Sequence, residues 1–314
     1  MKSAYMIQVF LSVGLLAQGM VLGQSSHDTA IANASSTGFA SALHMWSQQG
    51  DAKAQSVLGM MYLKGEGLPQ DRAQGVKWLI KAAEQGRVES QLYLGHMYQD
   101  GDVVPQDDAE AAKWFRRAAE QGDFSAQYQL GHAYRSGKGV PQDDAESVIW
   151  FRKGAEQGDA FSQFSLGWSY SQGRGVKVDH AAAAEWYDRA ARQGHAKAQF
   201  ALGYAYKRGN GVPQDHSEAA KWFRKSAKQG EAGAQLAMAY YYEKGIAVPR
   251  DLVLAHMWFS LVIAGDSSPR MEKLCRDRRD SLSSEMTQEQ IQEAERKARE
   301  WMPLKNTMPC ETSR

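Results

Sequence analysis

The sequence is poor in cysteine: 314 residues carry two, Cys275 and Cys310, both towards the C-terminal end. The pair allows at most one disulfide. Two free thiols are the other reading, because spacing alone does not bring their Cα atoms within bridging distance. An excess of charge of one sign is also missing. Lys and Arg number 37 against 36 Asp and Glu, giving a formal net charge of +1 with no long basic or acidic block. That balance lacks the electrostatic footprint of a nucleic-acid binder, so nucleic acid is set aside as a partner.

Catalytic signatures are missing as well. H-E-x-x-H, G-x-S-x-G and S-x-x-K do not occur, which removes the sequence signals of the commonest metal- and serine-dependent hydrolases. The stretch GHAYRSGKG from Gly131 imitates a phosphate-binding loop, but its spacing is one residue too long and Gly139 stands where Ser or Thr is required. Nothing implies a cofactor.

Ahead of the folded region, Lys2 precedes an apolar run over residues 4–22, interrupted by Gln8 and Gln18, and then a polar stretch from Gln24. This is the outline of a secretory signal peptide over residues 1–23, with Val21 and Gly23 small enough for the −3 and −1 sites. An uncleaved anchor is the alternative, and the two glutamines weigh against it. No cysteine follows the run, so the nucleophile of lipoprotein maturation is absent. The expected product is an exported protein, periplasmic or secreted, with no stable membrane insertion after cleavage.

What the sequence has in abundance is itself. Leu58-Gly59, Leu94-Gly95, Leu130-Gly131, Leu166-Gly167 and Leu202-Gly203 follow one another at 36 residues, and Met238-Ala239 continues the phase. Tyr62, Tyr98, Tyr134, Tyr170, Tyr206 and Tyr242 keep the same step, as do Trp78, Trp114, Trp150, Trp186, Trp222 and Trp258. A fixed period of this size signals an array of supersecondary units that bury their apolar faces against their neighbours.

Each unit reads as two helices. In the third copy the first lies near 126–136 and is ended by the glycines of GKGVPQD; Asp143 and Glu146 then open the second, which ends at Gly158. The Asp series Asp71, Asp107, Asp143, Asp179, Asp215 and Asp251 is expected to cap second helices rather than catalyse. At about 100° per residue, Ala54, Leu58 and Tyr62 share an arc with Gly59 beside it. Gly59 costs about 1 kcal/mol of helix propensity relative to Ala, and close approach of the partner helix is the expected compensation.

The patterns A-x-A-Q-x-x-L-G-x-x-Y, G-x-G-V-x-x-D and A-x-x-W-x-x-x-A-A-x-Q-G resemble the Sel-1-like repeat, a relative of the tetratricopeptide repeat, over residues 50–265. The resemblance implies an all-α fold, a right-handed α/α solenoid of six 36-residue helix-turn-helix repeats. It also implies a role as an adaptor for protein complexes, in the bacterial envelope or at a host interface. The expected organisation is a signal peptide (1–23), a mobile linker (24–38), an N-terminal capping helix (39–50), six repeats (51–265), two charged C-terminal capping helices (266–302) and a tail (303–314). A cysteine-rich branch of the family is associated with β-lactams. This chain departs from it, with no cysteine in its repeats, so a β-lactam or cell-wall hydrolase is kept only as the alternative to a non-enzymatic scaffold.

A second arc of each first helix varies between copies. It carries Lys53, Ser56, Met60 and Leu63; then Glu89, Leu92, His96 and Gln99; then Ser125, Tyr128, His132 and Arg135. Phe161, Phe164, Trp168 and Ser171 follow, then Lys197, Phe200, Tyr204 and Lys207, and finally Gly233, Leu236, Tyr240 and Glu243. The resemblance places first helices on the concave side, so this arc is expected to face a groove. Tyr128, His132, Phe161, Phe164, Trp168, Phe200, Tyr204 and Tyr240 would line it, with Arg135, Lys197 and Lys207 beside the rings. The expected occupant is a protein or peptide, the rings supplying anchors and the cations orienting acidic groups. Self-association through the same face is the other use, and burial of the rings between repeats is the alternative packing. His96 and His132 share a register, but neighbouring helix axes about 8–10 Å apart disfavour a shared metal.

Overall fold

The computed structural model describes residues 36–307 apart from 266 and 267, with side chains over 39–301. The expected signal peptide, residues 24–35 of the expected linker, and Cys310 lie outside these residues. Among them there are helices and no strand: α1 (Ser36–Gln48), α2 (Ala52–Lys64), α3 (Arg72–Glu84), α4 (Val88–Asp100), α5 (Asp108–Glu120), α6 (Phe124–Ser136), α7 (Asp144–Glu156), α8 (Ala160–Gln172), α9 (His180–Arg192), α10 (Ala196–Arg208), α11 (His216–Lys228), α12 (Ala232–Lys244), α13 (Leu252–Ala264), α14 (Pro269–Ser283) and α15 (Gln288–Thr307). They divide into two compact units, α1 to α6 ending at Asp143 and α7 to α15 beginning at Asp144. Both are stacks of helical hairpins, the all-α solenoid architecture.

The hairpins are cut to length by their caps. Asp71, Asp107, Asp179, Asp215 and Asp251 each accept backbone N–H bonds at the start of a second helix. First helices end on a left-handed glycine, such as Gly101 at φ 71° and Gly209 at φ 72°. The turn between is closed by one recurring bond: the Asp107 N–H donates to the Tyr98 carbonyl at 2.9 Å, and Asp215 to Tyr206 at 2.9 Å. Gly139, at φ 74°, lies against the Asp108 carbonyl of the preceding hairpin, and a Cβ there would collide with it.

Three boundaries differ from expectation. The N-terminal capping helix α1 spans Ser36–Gln48 instead of 39–50, starting within the expected linker (24–38). The first helix of the third copy starts at Phe124 because Asp123 caps it, its side chain accepting from the Ala126 N–H at 2.8 Å. At the other end α15 runs to Thr307, past the expected 302; extending a nucleated helix costs little per residue. Its start follows the expected capping box, with Thr287 N–H to Gln290 Oε1 at 2.9 Å and Gln290 N–H to Thr287 Oγ1 at 3.3 Å.

The repeated letters form the core. Leu58, Leu94, Leu130 and Leu166 are fully buried, and Leu202 and Met238 nearly or fully so. Four of the Leu-Gly pairs meet a second-helix ring or isobutyl group: a Cβ on Gly95 would lie 2.5 Å from Phe115, on Gly203 2.7 Å from Phe223, on Gly167 2.8 Å from Tyr187 and on Gly59 2.8 Å from Leu79. Close approach therefore does compensate for the glycines. The Trp register is buried at Trp78, Trp114, Trp150, Trp222 and Trp258 and half-buried at Trp186. A cation one turn on covers the outer face of five of these rings, for example Arg117 over Trp114 at 4.6 Å and Lys225 over Trp222 at 4.2 Å.

The Gln of each A-x-A-Q stretch does more than flank this core. Gln55, Gln91, Gln127, Gln163, Gln199 and Gln235 are all buried. Their amides donate back to the preceding helix, as from Gln91 to the Ala83 carbonyl at 2.9 Å and from Gln199 to Ala191 at 3.1 Å. Four of their carbonyls accept from a second glutamine 30 residues on: Gln85 to Gln55 at 2.7 Å, Gln121 to Gln91, Gln193 to Gln163 and Gln229 to Gln199, each of these three at 2.8 Å. Gln55, Gln91, Gln163 and Gln199 are thus satisfied at both ends and tie one hairpin to the next.

In the second unit α13 is covered by α14 and α15, with Trp258 and Trp301 packed edge to face at 5.3 Å. Cys275 of α14 is wholly buried here, and burial pushes its thiol up to about 11.

Candidate functional site

The residues expected to line a groove fall in both units. In the second unit α8, α10 and α12 bring Phe161, Phe164, Trp168, Phe200, Tyr204 and Tyr240 to positions that are half-buried, except Tyr204, which is 41% exposed. They are not equivalent. Phe164 lies 5.8 Å from Tyr187, and Phe200 lies 5.8 Å from Phe223, so one side of each ring belongs to the core. Tyr240 packs edge to face on Phe259 at 5.7 Å. Tyr204 touches the core least. Its ring takes Lys207 at 5.9 Å and Arg208 at 5.5 Å, and its hydroxyl accepts from Arg208 Nε at 3.3 Å.

Cations flank the other rings too: Arg174 lies 5.6 Å over Trp168 and Arg278 5.5 Å over Tyr240. Arg174 also pairs with Asp144 at 3.2 Å. Lys197 is exposed at the start of α10. The varied arcs of these three helices contain one carboxylate, Glu243, which is buried and paired with Lys244 at 2.6 Å and Arg278 at 3.5 Å. The surface is therefore aromatic with a positive surround.

Not every residue of the varied arc faces outward. Leu63 and Leu92 are core residues at 7% and 1% exposure, and Glu243 is at 5%. Sequence reasoning also passed over His195, which stands in the register of Asp123 and Asp159 and caps α10, its Nδ1 accepting from the Ala198 N–H at 3.1 Å. Phe161 meets its edge and Phe164 stacks on it, both at 4.9 Å. Burial first, and then Lys197, lowers its pKa to about 4, so the ring is neutral at neutral pH. The break in the Asp register at a helix start was the available signal. Arg174, Arg208 and Arg278 lie off the arc and were visible only once the rings were placed.

In the first unit Tyr128, His132 and Arg135 share one face of α6 over two turns. The Tyr128 and His132 rings meet edge to face at 4.6 Å, and an Arg135 Nη lies 3.0 Å from the His132 ring nitrogens. Burial, and then Arg135, lowers His132 to about 4. Tyr128 and His132 border a cleft of about 300 Å3 between α4, α5 and α6. Its floor is Ala111, Ala112 and Phe115; Gln99, Asp108, Gln129, Ser136 and Lys138 give it a polar rim. His96 packs on Phe115 at 5.1 Å instead of joining His132. Among the described residues no group of three or more His, Cys, Asp or Glu is placed to hold a metal, and no helix is long and apolar enough to cross a membrane.

The Sel1 repeat model matches residues 52–86, 88–123, 124–159, 160–195, 196–231 and 232–262, two thirds of the chain. The chain belongs to the Sel1 repeat family. As a Sel1 repeat protein it is a scaffold of the kind that typically mediates protein–protein interaction. It is similar to c5321, a protective antigen present in uropathogenic Escherichia coli strains and displaying the same repeat fold, at 36% identity and a TM-score of 0.73 over 85% of this chain. The match spans 56% of that protein, so the chain corresponds to little more than half its length. It is similar also to a Sel1 repeat protein from Oxalobacter formigenes, at 35% identity and a TM-score of 0.61, covering 68% of this chain and 87% of the other. No curated protein is detectably similar to it.

Proposed function

We propose that this Sel1 repeat protein is a non-enzymatic adaptor that binds a protein or peptide on the outward face of its first helices. The observation that carries the reading is the second-unit surface, where Trp168, Tyr204 and Tyr240 are each overlaid by a cation and the only carboxylate of the same arcs is buried. Aromatic rings that keep a solvent-facing side provide contact area at low entropic cost, and surrounding cations favour acidic partners. The partner segment is accordingly one that offers apolar side chains among acidic ones.

The reading also places the protein outside the cytoplasm, on the signal-like run over residues 4–22.

The test is cross-linked capture from the native envelope, comparing wild type with a Tyr204→Ala, Lys197→Glu, Lys207→Glu variant of unchanged helical circular dichroism. These positions leave the core intact. A partner lost only by the variant supports the adaptor, whereas identical capture by both removes this face from consideration. Sedimentation over a concentration range identifies a second copy of the chain if that is what occupies it.

A further inference from the structure

The cleft of the first unit has a filled counterpart in the second. Between α10, α11 and α12, Tyr241 is 1% exposed; its ring stands edge to face on Phe223 at 5.6 Å and its hydroxyl lies 3.1 Å from His216 Nδ1. Three periods earlier in the sequence, Phe115 holds the register of Phe223, Asp108 that of His216 and Ala133 that of Tyr241. All three line the cleft between α4, α5 and α6. The alanine and phenylalanine floor is kept, a polar group still opens the helix with aspartate in place of histidine, and Ala133 stands where Tyr241 fills the space; on the walls Tyr128, Gln129 and His132 stand for Leu236, Ala237 and Tyr240.

We propose that this cleft receives a tyrosine side chain of the partner, its ring lying over Ala111, Ala112 and the small part of Phe115 left open, and its hydroxyl donating to the Asp108 carboxylate. The proposal rests on the adaptor reading and names one group that the partner must carry. A volume of about 300 Å3 lies at the small end of ligand sites, roughly 300–1,000 Å3; it suits one large side chain with its backbone. The chemistry selects among side chains. Ala111, Ala112 and Phe115 require an apolar body, and the ring walls favour an aromatic one in an edge-to-face or offset arrangement. Asp108 requires a donor at the tip, which phenylalanine and leucine lack, and it repels a carboxylate.

The probes are N-acetyl-tyrosinamide and N-acetyl-phenylalaninamide, titrated into the purified isotope-labelled protein and followed by amide chemical shifts. The expected result is saturable shifts in α5 and α6 around the cleft, with the tyrosine probe bound about fivefold more tightly, as one hydrogen bond to a carboxylate in a partly open site provides. Asp108→Ala, on the rim, should bring the two probes to equal affinity. Ala133→Tyr should fill the cleft as Tyr241 fills its counterpart and abolish the shifts while helical circular dichroism is retained. If Ala133→Tyr does not fold, the rim variant decides. The proposal is overturned by an absence of saturable shifts at the cleft, by equal affinities in the wild type, or by undiminished shifts in folded Ala133→Tyr. Partner capture separates this from the reading beneath it. Capture lost in the Tyr204 variant without probe binding overturns the cleft alone; probe binding with capture indifferent to the Tyr204 variant upholds the cleft and removes the second-unit face.

Discussion

Gln121 donates its side-chain amide to the side-chain carbonyl of Gln91 at 2.8 Å, and Gln91 passes its own amide to the Ala83 carbonyl at 2.9 Å. Three consecutive helices are joined by two side chains, and the link recurs in the second unit through Gln193, Gln163 and Ala155. Gln91→Ala leaves the Ala83 carbonyl without this donor in a buried site and should destabilise the protein by about 1–3 kcal/mol. A lowered urea midpoint by circular dichroism checks this; an unchanged midpoint would mean that the Gly86 N–H or water suffices for the Ala83 carbonyl while the Arg117 carbonyl takes the Gln121 amide.

Gly203 is fixed by its neighbour. A methyl group there would lie 2.7 Å from the Phe223 ring, itself wholly buried. Gly203→Ala therefore gains helix propensity yet should lose about 1–3 kcal/mol through overpacking. The thermal midpoint should fall, and a rise would show that the two helices can separate at little cost.

Acid should weaken the fold through its buried imidazoles. His132 and His195 are lowered from 6.5 to about 4, chiefly by burial, and burial lowers His256 as well. Between about 6.5 and 4 the unfolded chain binds more protons than the folded one, so stability is complete above 6.5 and declines as pH falls through that window. Allowing for partial solvent exposure, each of His132 and His195 contributes about 1–2 kcal/mol of this loss. Denaturant titrations at pH 7, 5.5 and 4.5 should show the decline. His195→Asp, which installs the cap used at Asp123 and Asp159, should make it shallower; an equal slope in the variant would exclude His195 as a source.

Cys275 should resist alkylation in the native protein, since it has no exposed surface and its thiol is raised to about 11. Iodoacetamide should label it only after unfolding. Labelling that further requires a reductant would establish the bond to Cys310, and rapid labelling of the native protein would contradict the packing of α14.

The repeat and its hairpins were legible in the sequence because Leu58, Tyr62, Trp78 and Asp71 recur in phase, and a fixed period with fixed core letters leaves one architecture. The glutamine pairs were not legible. A helical wheel sets Gln91 beside the core, but its partner Gln121 is 30 residues away on another helix, and only packing brings the amides together. The varied arc overstated the site for a related reason: variation marks positions outside the shared core code, yet Leu92 varies and is buried. The cleft lay further from view, since Ala133 acquires meaning only when Tyr241 is seen filling the corresponding space.

Whether the outward face of α8, α10 and α12 is the working surface is decided by the partners that it captures. Wild type and the Tyr204→Ala, Lys197→Glu, Lys207→Glu variant, matched in circular dichroism and thermal midpoint, are cross-linked in the native envelope and their partners identified. At least one partner should be present with wild type and absent with the variant, and rebinding of that purified partner to wild type should weaken as salt is raised. The same partners recovered at the same yield with both proteins would exclude that face as the working surface.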